Sequence, residues 1–255
     1  MRGWTDDWKA SIGWGTAGTV DKTYQDFFRM TPPDINLIVS TVMWALKMVR
    51  PGRFDVEDFK KQRDSVIDAV LQLQRFQQPD FFVVTGDLIQ SAMGPHWTKE
   101  LERSIEEATG KPATAAMTAV TEALEGMGVE KVAVGTPHRD DQNAHIRGFL
   151  EAAGLEVTAI SGYHTNSHVE IHALRENTPY EKGKEVFQAV PGAEAIYLSC
   201  PCWHGATDTI EKLEAEFDVP VLTMFSPLLY KALNALDYGK PVEGFGRLLA
   251  GRSAK

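Results

Sequence analysis

The chain has 255 residues, with 26 Lys and Arg against 35 Asp and Glu for a formal net charge of −9, and 43% of its residues are hydrophobic. This is the composition of an ordinary soluble globular protein in one large or two small domains, and its scattered basic residues argue against nucleic acid as a partner. The longest nearly apolar run, residues 35–49, contains polar residues and is shorter than the roughly 20 apolar residues that a membrane span requires, so no membrane partner is expected. The N-terminus shows no secretory signal pattern, which favours a cytoplasmic protein.

Short apolar runs alternate along the chain with longer segments of helical period, a pattern that predicts parallel sheets covered by helices. The predicted strands are 10–14, 35–40, 81–85, 113–116, 131–135, 156–160, 195–200 and 219–223. The predicted helices are about 56–77, 97–109, 118–127, 141–153, 167–175, 179–189, 208–217 and 227–236. Asp208 fits the N-cap of the helix at 208–217, with Glu211 three residues later. Asp140 or Asp141 can cap the helix at 141–153, which is the alternative to a ligand contact at His138.

Two segments of the chain resemble each other. "PDFFVVTG" (79–86) and "GAEAIYLSC" (192–200) each contain an acidic residue, four apolar residues, a small hydroxyl residue and then a loop. Each is followed by a helix and by a second strand introduced by proline. The pattern indicates two related α/β halves, in which Gly86 stands where Cys200 stands in the second half.

The loops after the strands are the predicted binding region, because ligands of open α/β sheets lie outside the carboxyl ends of the strands. The loops after residues 14, 40, 85, 135 and 200 therefore converge on one cleft. They are rich in glycine and in hydroxyl residues, including those at 15–19, Ser40, Thr41 and Thr85, which can bind an anion such as a carboxylate. The alternative is that these residues only form turns.

Cys200 and Cys202 are the two cysteines of the chain, and Pro201 separates them. This spacing is poor geometry for a disulfide, and with His204 as the one further ligand nearby it does not favour a metal site. A thiol in a strand-to-helix loop can have its pKa lowered by amide dipoles and then serve as an acid, base or nucleophile. The alternative is a buried, inert thiol, and the spacing does not decide between Cys200 and Cys202.

Histidines supply the remaining candidates. His138 follows a predicted strand inside "GTPHRDDQN", where it is placed to contact a ligand or to form the lead-in turn of the next helix. His164, His168 and His172 lie four residues apart, and we interpret them as a solvated helix start rather than as a metal cluster.

Three stretches of this sequence resemble the arylmalonate decarboxylase branch of the aspartate/glutamate racemase superfamily, in which maleate cis–trans isomerase is a close relative. They are "EATGKPATAAMTAVTEALEGMGVEKVAVGTPHRDDQN" (107–143), "LSC…DTIEKLEAEFDVPVL" (198–222) and the short "GFGRL" (244–248). The resemblance implies an α/β fold of two pseudo-symmetric lobes, each a mainly parallel sheet flanked by helices, with the active site in the cleft between them. We assign residues 1–115 and 225–255 to the first lobe and 116–224 to the second.

The resemblance also implies a mechanism without metal or organic cofactor. The racemases of the superfamily use one cysteine from each lobe, whereas the decarboxylases keep only the second, with glycine at the first position. Gly86 and Cys200 match the decarboxylase pattern. Carbon dioxide would leave a disubstituted malonate, and Cys200 would protonate the enediolate.

The expected substrate is a small carboxylic acid, and an oligomer is compatible with the sequence. The residues predicted to bind this substrate are Thr16, Ser40, Thr85, Asp87, His138, Pro201 and Cys202. The sequence departs from the family at Asp87 and Leu88, which replace hydroxyl residues. It departs again at His138, which replaces an aromatic hydroxyl and when protonated would favour an anion, and in "SCPCWHG", where Trp203 and His204 add bulk. An ionised Asp87 would repel a bound carboxylate, so Asp87 is turned away or protonated, or the substrate is not an ordinary malonate.

Three other functions fit the same residues. A racemase or isomerase of the superfamily would use Asp87 or His138 as the second base. A hydrolase would use a cysteine nucleophile with His204 as base, and a non-catalytic protein would bind the ligand without turnover.

Overall fold

A computed structural model of the chain describes residues 8–16, 25–41 and 63–251. Eight strands lie within these residues: β1 (Ala10–Thr16), β2 (Ile35–Thr41), β3 (Phe81–Val84), β4 (Ala113–Ala115), β5 (Lys131–Gly135), β6 (Glu156–Ser161), β7 (Ala195–Leu198) and β8 (Val221–Thr223). They form two four-stranded sheets, in the orders β2-β1-β3-β4 and β6-β5-β7-β8, and every pairing is parallel. The predicted α/β architecture of two similar halves is confirmed.

Ten helices lie within the described residues. They are α1 (Gln25–Met30), α2 (Arg63–Gln77), α3 (Asp87–Thr109), α4 (Ala116–Gly126), α5 (Asp140–Ala152), α6 (His168–His172), α7 (Thr178–Ala189), α8 (Ala206–Phe217), α9 (Phe225–Ala235) and α10 (Arg247–Ala250). Each strand of the two sheets is thus separated from the next by helical chain, as parallel pairing requires. Among the described residues, no helix has the length and apolar character needed to cross a membrane.

The two halves share details beyond their strand order. Asp80 accepts a hydrogen bond from the backbone N–H of Ser11 in β1, and Glu194 accepts one from Lys131 in β5. The prolines match too, since the carbonyl of Pro112 accepts from Phe82 and that of Pro220 accepts from Ile196. The acidic residue and the proline of the sequence repeat therefore join neighbouring strands at the same places in both sheets.

The central strands are buried on both faces, which explains their uninterrupted apolar sequences. The main hydrophobic cluster includes Trp14 and Val83 from the first sheet, Ile196 and Leu198 from the second, and Cys200. Helix α9 contacts β3, β4 and β8, so it packs against both halves. The assignment of residues 225–255 to the first lobe stays a prediction.

Several predicted boundaries are wrong. Helix α8 begins at Ala206, so Asp208 lies in its first turn and pairs with Arg29, while Gly205 is the N-cap. Helix α5 begins at Asp140, so the N-cap is Arg139.

Helix α3 begins ten residues before the predicted start at 97. It is interrupted at Gly94, whose φ of 85° and extended ψ of 169° break the helical path just before Pro95. The part of the predicted helix at 56–62 lies outside the described residues.

Candidate active site

The two residues predicted to face the substrate occupy equivalent positions. Gly86 is the second residue after β3, and Cys200 is the second residue after β7. The residues before them, Thr85 and Ser199, each donate a backbone hydrogen bond at 3.0 Å to the glycine that ends or nearly ends the neighbouring strand, Gly15 and Gly135. These bonds continue the strand pairing by one residue past Val84 and Leu198, where the regular strands end. Strand β7 thus stops two residues earlier than predicted.

Gly86 and Cys200 also share an unusual backbone conformation. Their φ angles are 118° and 132°. Glycine adopts such angles without a steric penalty, whereas a side chain with a Cβ atom rarely does. The backbone at Cys200 is therefore strained, and strain of this kind concentrates at functional sites.

The Cys200 thiol is buried in the main hydrophobic cluster. Burial raises its pKa well above the ordinary value, and Cys202 and the charge of Asp87 raise it further, while a backbone hydrogen bond from Cys202 acts in the opposite direction. Of the two alternatives that the sequence left open, lowering of this pKa by backbone amides is outweighed by loss of hydration. At neutral pH the thiol holds its proton, which is the state of an acid.

Asp87 is the first residue of α3 and is only 3% exposed. Its Oδ2 accepts a hydrogen bond of 2.6 Å from Ser199 Oγ in the other half of the molecule. Burial raises the pKa of the carboxyl, although Ser199, backbone N–H groups and His168 lower it. The structure thus places Asp87 beside the loop that carries Cys200, in surroundings that favour its neutral form.

His138 lies in the turn between β5 and α5, and its backbone N–H donates to Thr136 Oγ1 at 3.0 Å. Its ring is buried, and Nε2 has no hydrogen-bond partner within the part of the chain that the structure describes. Burial, followed by the positive charges of His168 and Arg139, lowers its pKa to about 3. The imidazole is therefore neutral at neutral pH, so His138 can contact a ligand as a hydrogen-bonding group and not as a positive charge.

The hydroxyl residues of the first half do not all meet. Thr85 Oγ1 donates to Thr16 Oγ1 at 2.9 Å, and the indole of Trp14 donates to Thr85 at 3.1 Å. Ser40 lies beside Gly15 in the neighbouring strand, and the face of the sheet that they share packs against α2. The Ser40 hydroxyl donates a hydrogen bond to Gln72 of that helix. Ser40 therefore lies on the opposite face of the sheet from Thr16 and Thr85. Residues 17–19 of the predicted binding loop lie outside the described residues.

The remaining residues of the cysteine loop have packing roles. Cys202 is buried and interacts with Cys200, and Pro201 is half-buried between them. Trp203 is buried against Tyr163, and its indole donates to Thr178 at 3.0 Å, so the added bulk points into the core around α7. Gly205 ends the loop with a φ of 83° and lies so close to the carbonyl of Glu176 that a Cβ atom would clash.

Sequence reasoning missed three residues of the site. Ser199 is the small hydroxyl residue of the sequence repeat. Its place in the repeat does not by itself indicate a role in the site, which becomes clear only from its hydrogen bond to Asp87. Tyr197 is buried near Asp87, Ser199 and Cys200, and burial raises its pKa. His168, exposed at the start of α6, acts electrostatically on both Asp87 and His138. In the described residues, no group of three or more His, Cys, Asp or Glu side chains is arranged to hold a metal ion.

Comparison with known proteins places this site in context. A family model described as arylmalonate decarboxylase matches residues 32–249. The arylmalonate decarboxylase of Bordetella bronchiseptica is 28% identical over 222 residues, which cover 85% of this chain and 87% of that protein. The maleate isomerase of Nocardia farcinica is 23% identical over 244 residues, covering 87% and 94%.

Solved structures agree in fold. A structure of unliganded arylmalonate decarboxylase is 26% identical with a TM-score of 0.78, and the match covers 94% of this chain and 99% of that one. A Nocardia farcinica maleate cis-trans isomerase mutant with a covalently bound succinylcysteine intermediate has a TM-score of 0.80 over 96% and 99% of the two chains. At 18% identity the latter shows a common fold alone.

Proposed function

Since this chain belongs to the arylmalonate decarboxylase family, whose model matches residues 32–249, we propose that it is a cofactor-independent decarboxylase of an activated, arylmalonate-like dicarboxylate. The observation that carries the proposal is the pairing of Gly86 with Cys200 at equivalent, left-handed positions after β3 and β7. Both cysteines of the chain follow β7. A thiol is consequently available from one half only, which suits delivery of a proton to one face.

The chemistry begins with loss of one carboxylate as carbon dioxide. The C–C bond breaks, and its electron pair remains on the substrate as an enediolate. Cys200 then donates its proton to the α-carbon, and the thiolate regains a proton from solvent. A buried thiol with a raised pKa holds the proton until this strongly basic intermediate forms, and the surrounding apolar cluster favours departure of the neutral product.

Binding of the other carboxylate is assigned to donors near these two loops. Thr16, Thr85 and His138 are the candidates, with Cys202 and Pro201 lining the cysteine side. Burial raises the pKa of the Asp87 carboxyl, which favours its neutral form and so weakens its repulsion of a bound carboxylate. Ser40 is the weakest member of the predicted set, because it faces α2.

A second candidate function is isomerisation or racemisation of an amino acid or a maleate-like acid. The observation that favours it is the buried Asp87 carboxyl beside the Cys200 loop, since an acid with a raised pKa can serve as the second proton-transfer group. A cysteine hydrolase is less well supported. Among the described residues, Cys202, Asp87 and Tyr197 interact electrostatically with the Cys200 thiol, and none of the three is the imidazole base that such an enzyme requires.

The test is turnover by the purified protein of a panel containing aryl- and alkyl-malonates, maleate and several amino acids, followed by proton NMR. We expect a malonate to be consumed with release of carbon dioxide, and Cys200→Ser to lose about 10²-fold or more of this activity, as removal of a general acid does. Cys202→Ser is the matched control and separates the two thiols. Conversion of maleate or exchange of an amino acid α-proton, with malonates left intact, would instead support the isomerase.

A further inference from the structure

We propose that Asp87 is a positioning residue for Cys200. The hydrogen bond from Ser199 Oγ to Asp87 Oδ2, 2.6 Å long, ties the start of α3 to the loop after β7 and holds the thiol in its buried, left-handed place. This inference rests on the proposed function, in which Cys200 is the proton donor. In this proposal Asp87 holds Ser199, and Ser199 in turn positions Cys200, the next residue in the chain.

Comparison of the two halves isolates this contact. Thr85 and Ser199 are equivalent, and their backbone N–H groups make the same hydrogen bond to the neighbouring strand. Their side chains differ, because Thr85 donates to Thr16 within its own sheet whereas Ser199 reaches into the other half. The link between the halves thus occurs at the loop that carries the cysteine.

The conformation of Cys200 explains why such a link is needed. A non-glycine residue at a φ of 132° persists only where its surroundings over-determine it. On the strand side, the N–H of Ser199 is bonded to Gly135. On the other side, Trp203 is anchored to Thr178. Next to Cys200, the Ser199 side chain adds a further restraint through its hydrogen bond to Asp87.

The groups facing this pair come from several elements. Asp87 is faced by Ser199, by Tyr197 of β7 and by His168 of α6, and Cys200 is faced by Cys202 as well as by Asp87. In either protonation state, Asp87 can accept the hydrogen bond from the Ser199 hydroxyl. An asparagine at position 87 can accept the same hydrogen bond through its amide oxygen, whereas an alanine cannot. Comparing these two variants therefore separates the hydrogen bond from the charge.

The experiment measures alkylation of Cys200 by iodoacetamide between about pH 6 and 10, the range over which cysteine thiols ionise. Tandem mass spectrometry of the peptide that contains both cysteines reports Cys200 separately from Cys202. The variants are Asp87→Ala, Asp87→Asn, Ser199→Ala and the double Asp87→Ala/Ser199→Ala. Ser104→Ala, which removes a serine hydroxyl that donates to Glu100 farther along α3, is the control.

We expect Asp87→Ala and Ser199→Ala each to speed alkylation of Cys200 by about tenfold and to lower its pH midpoint, because a released loop exposes the thiol to water. The double variant should match the larger single effect, since both remove one interaction. The control should stay near wild type. Asp87→Asn keeps the hydrogen bond from Ser199, so it should show only the small shift that loss of the Asp87 charge produces, well short of the effect of Asp87→Ala.

An unchanged Cys200 rate and midpoint in Asp87→Ala and Ser199→Ala would overturn the proposal, even where melting temperatures fall. So would an Asp87→Asn variant that behaves like Asp87→Ala, or single effects that add. If Asp87→Ala does not fold, Ser199→Ala, which keeps the carboxyl, carries the test. Alkylation requires no substrate, so a wild-type protein without decarboxylase turnover would refute the proposed function and leave the role of Asp87 to be decided by these rates.

Discussion

Gly86 and Cys200 are structural equivalents: each follows its central strand by two residues, and their φ angles of 118° and 132° differ by little. One half of the molecule fills this position with the residue that suits the conformation. The other half fills it with a cysteine that does not. The second half therefore carries backbone strain at the residue to which we assign the chemistry.

Because of this strain, glycine should be a more stable replacement than alanine at position 200, the reverse of the usual order. Cys200→Gly should be more stable than Cys200→Ala by about 1 kcal/mol, because glycine relieves the left-handed backbone. The measurement is the free energy of unfolding in urea. Cys202, whose φ is not positive, is the matched control, and there alanine should be the more stable replacement. An alanine at position 200 as stable as glycine would show that the backbone relaxes without cost.

Gly205 offers a test of the loop's far end. A Cβ atom there would lie 2.2 Å from the carbonyl oxygen of Glu176, in addition to the penalty of a φ of 83°. Gly192 also has a positive φ, of 103°, but a Cβ atom added there would have no other atom within 4 Å. Gly205→Ala should therefore destabilise the protein by about 2 kcal/mol more than Gly192→Ala, since overlap with backbone forces a shift. Equal losses in urea unfolding would contradict the close contact.

His138 predicts a pH dependence of stability. Burial lowers its pKa to about 3, so between that pH and the ordinary value near 6.5 the unfolded chain binds a proton that the folded protein does not. Stability therefore falls as pH falls through this window, by about 2 kcal/mol at pH 5. His138→Gln should remove this part of the loss between pH 7.5 and 5 in urea unfolding. A variant with the same pH dependence as wild type would mean that His138 is protonated in the folded protein.

The sequence predicted the architecture well because parallel strands buried on both faces leave an unambiguous apolar signal. Each of the eight predicted strands is present, and the repeat of an acidic residue, an apolar run and a hydroxyl was enough to pair Gly86 with Cys200. The ends of elements were less predictable. Asp208 has the composition of an N-cap, but the left-handed turn at Gly205 starts α8 earlier and leaves Asp208 to pair with Arg29.

The site was predictable in its residue types and not in its electrostatics. His138 and Cys200 were identified from their positions after strands, and Asp87 from the family resemblance, yet burial raises the pKa of Asp87 and Cys200 and lowers that of His138. Asp87 and Cys200 are buried among residues of both halves, an environment that no local sequence pattern reports. The partner of Ser199 was hidden for the same reason, because it lies 112 residues away in the chain.

The stereochemistry of the product tests the central claim most directly. A prochiral disubstituted malonate consumed in deuterium oxide should give a monoacid with one deuterium at its α-carbon and a large excess of one enantiomer, because Cys200 delivers the proton from one side and Gly86 offers no donor on the other. Chiral chromatography with proton NMR measures both. A racemic product, or a Cys200→Ser variant that gives the same enantiomer at the same rate, would contradict protonation by this single thiol.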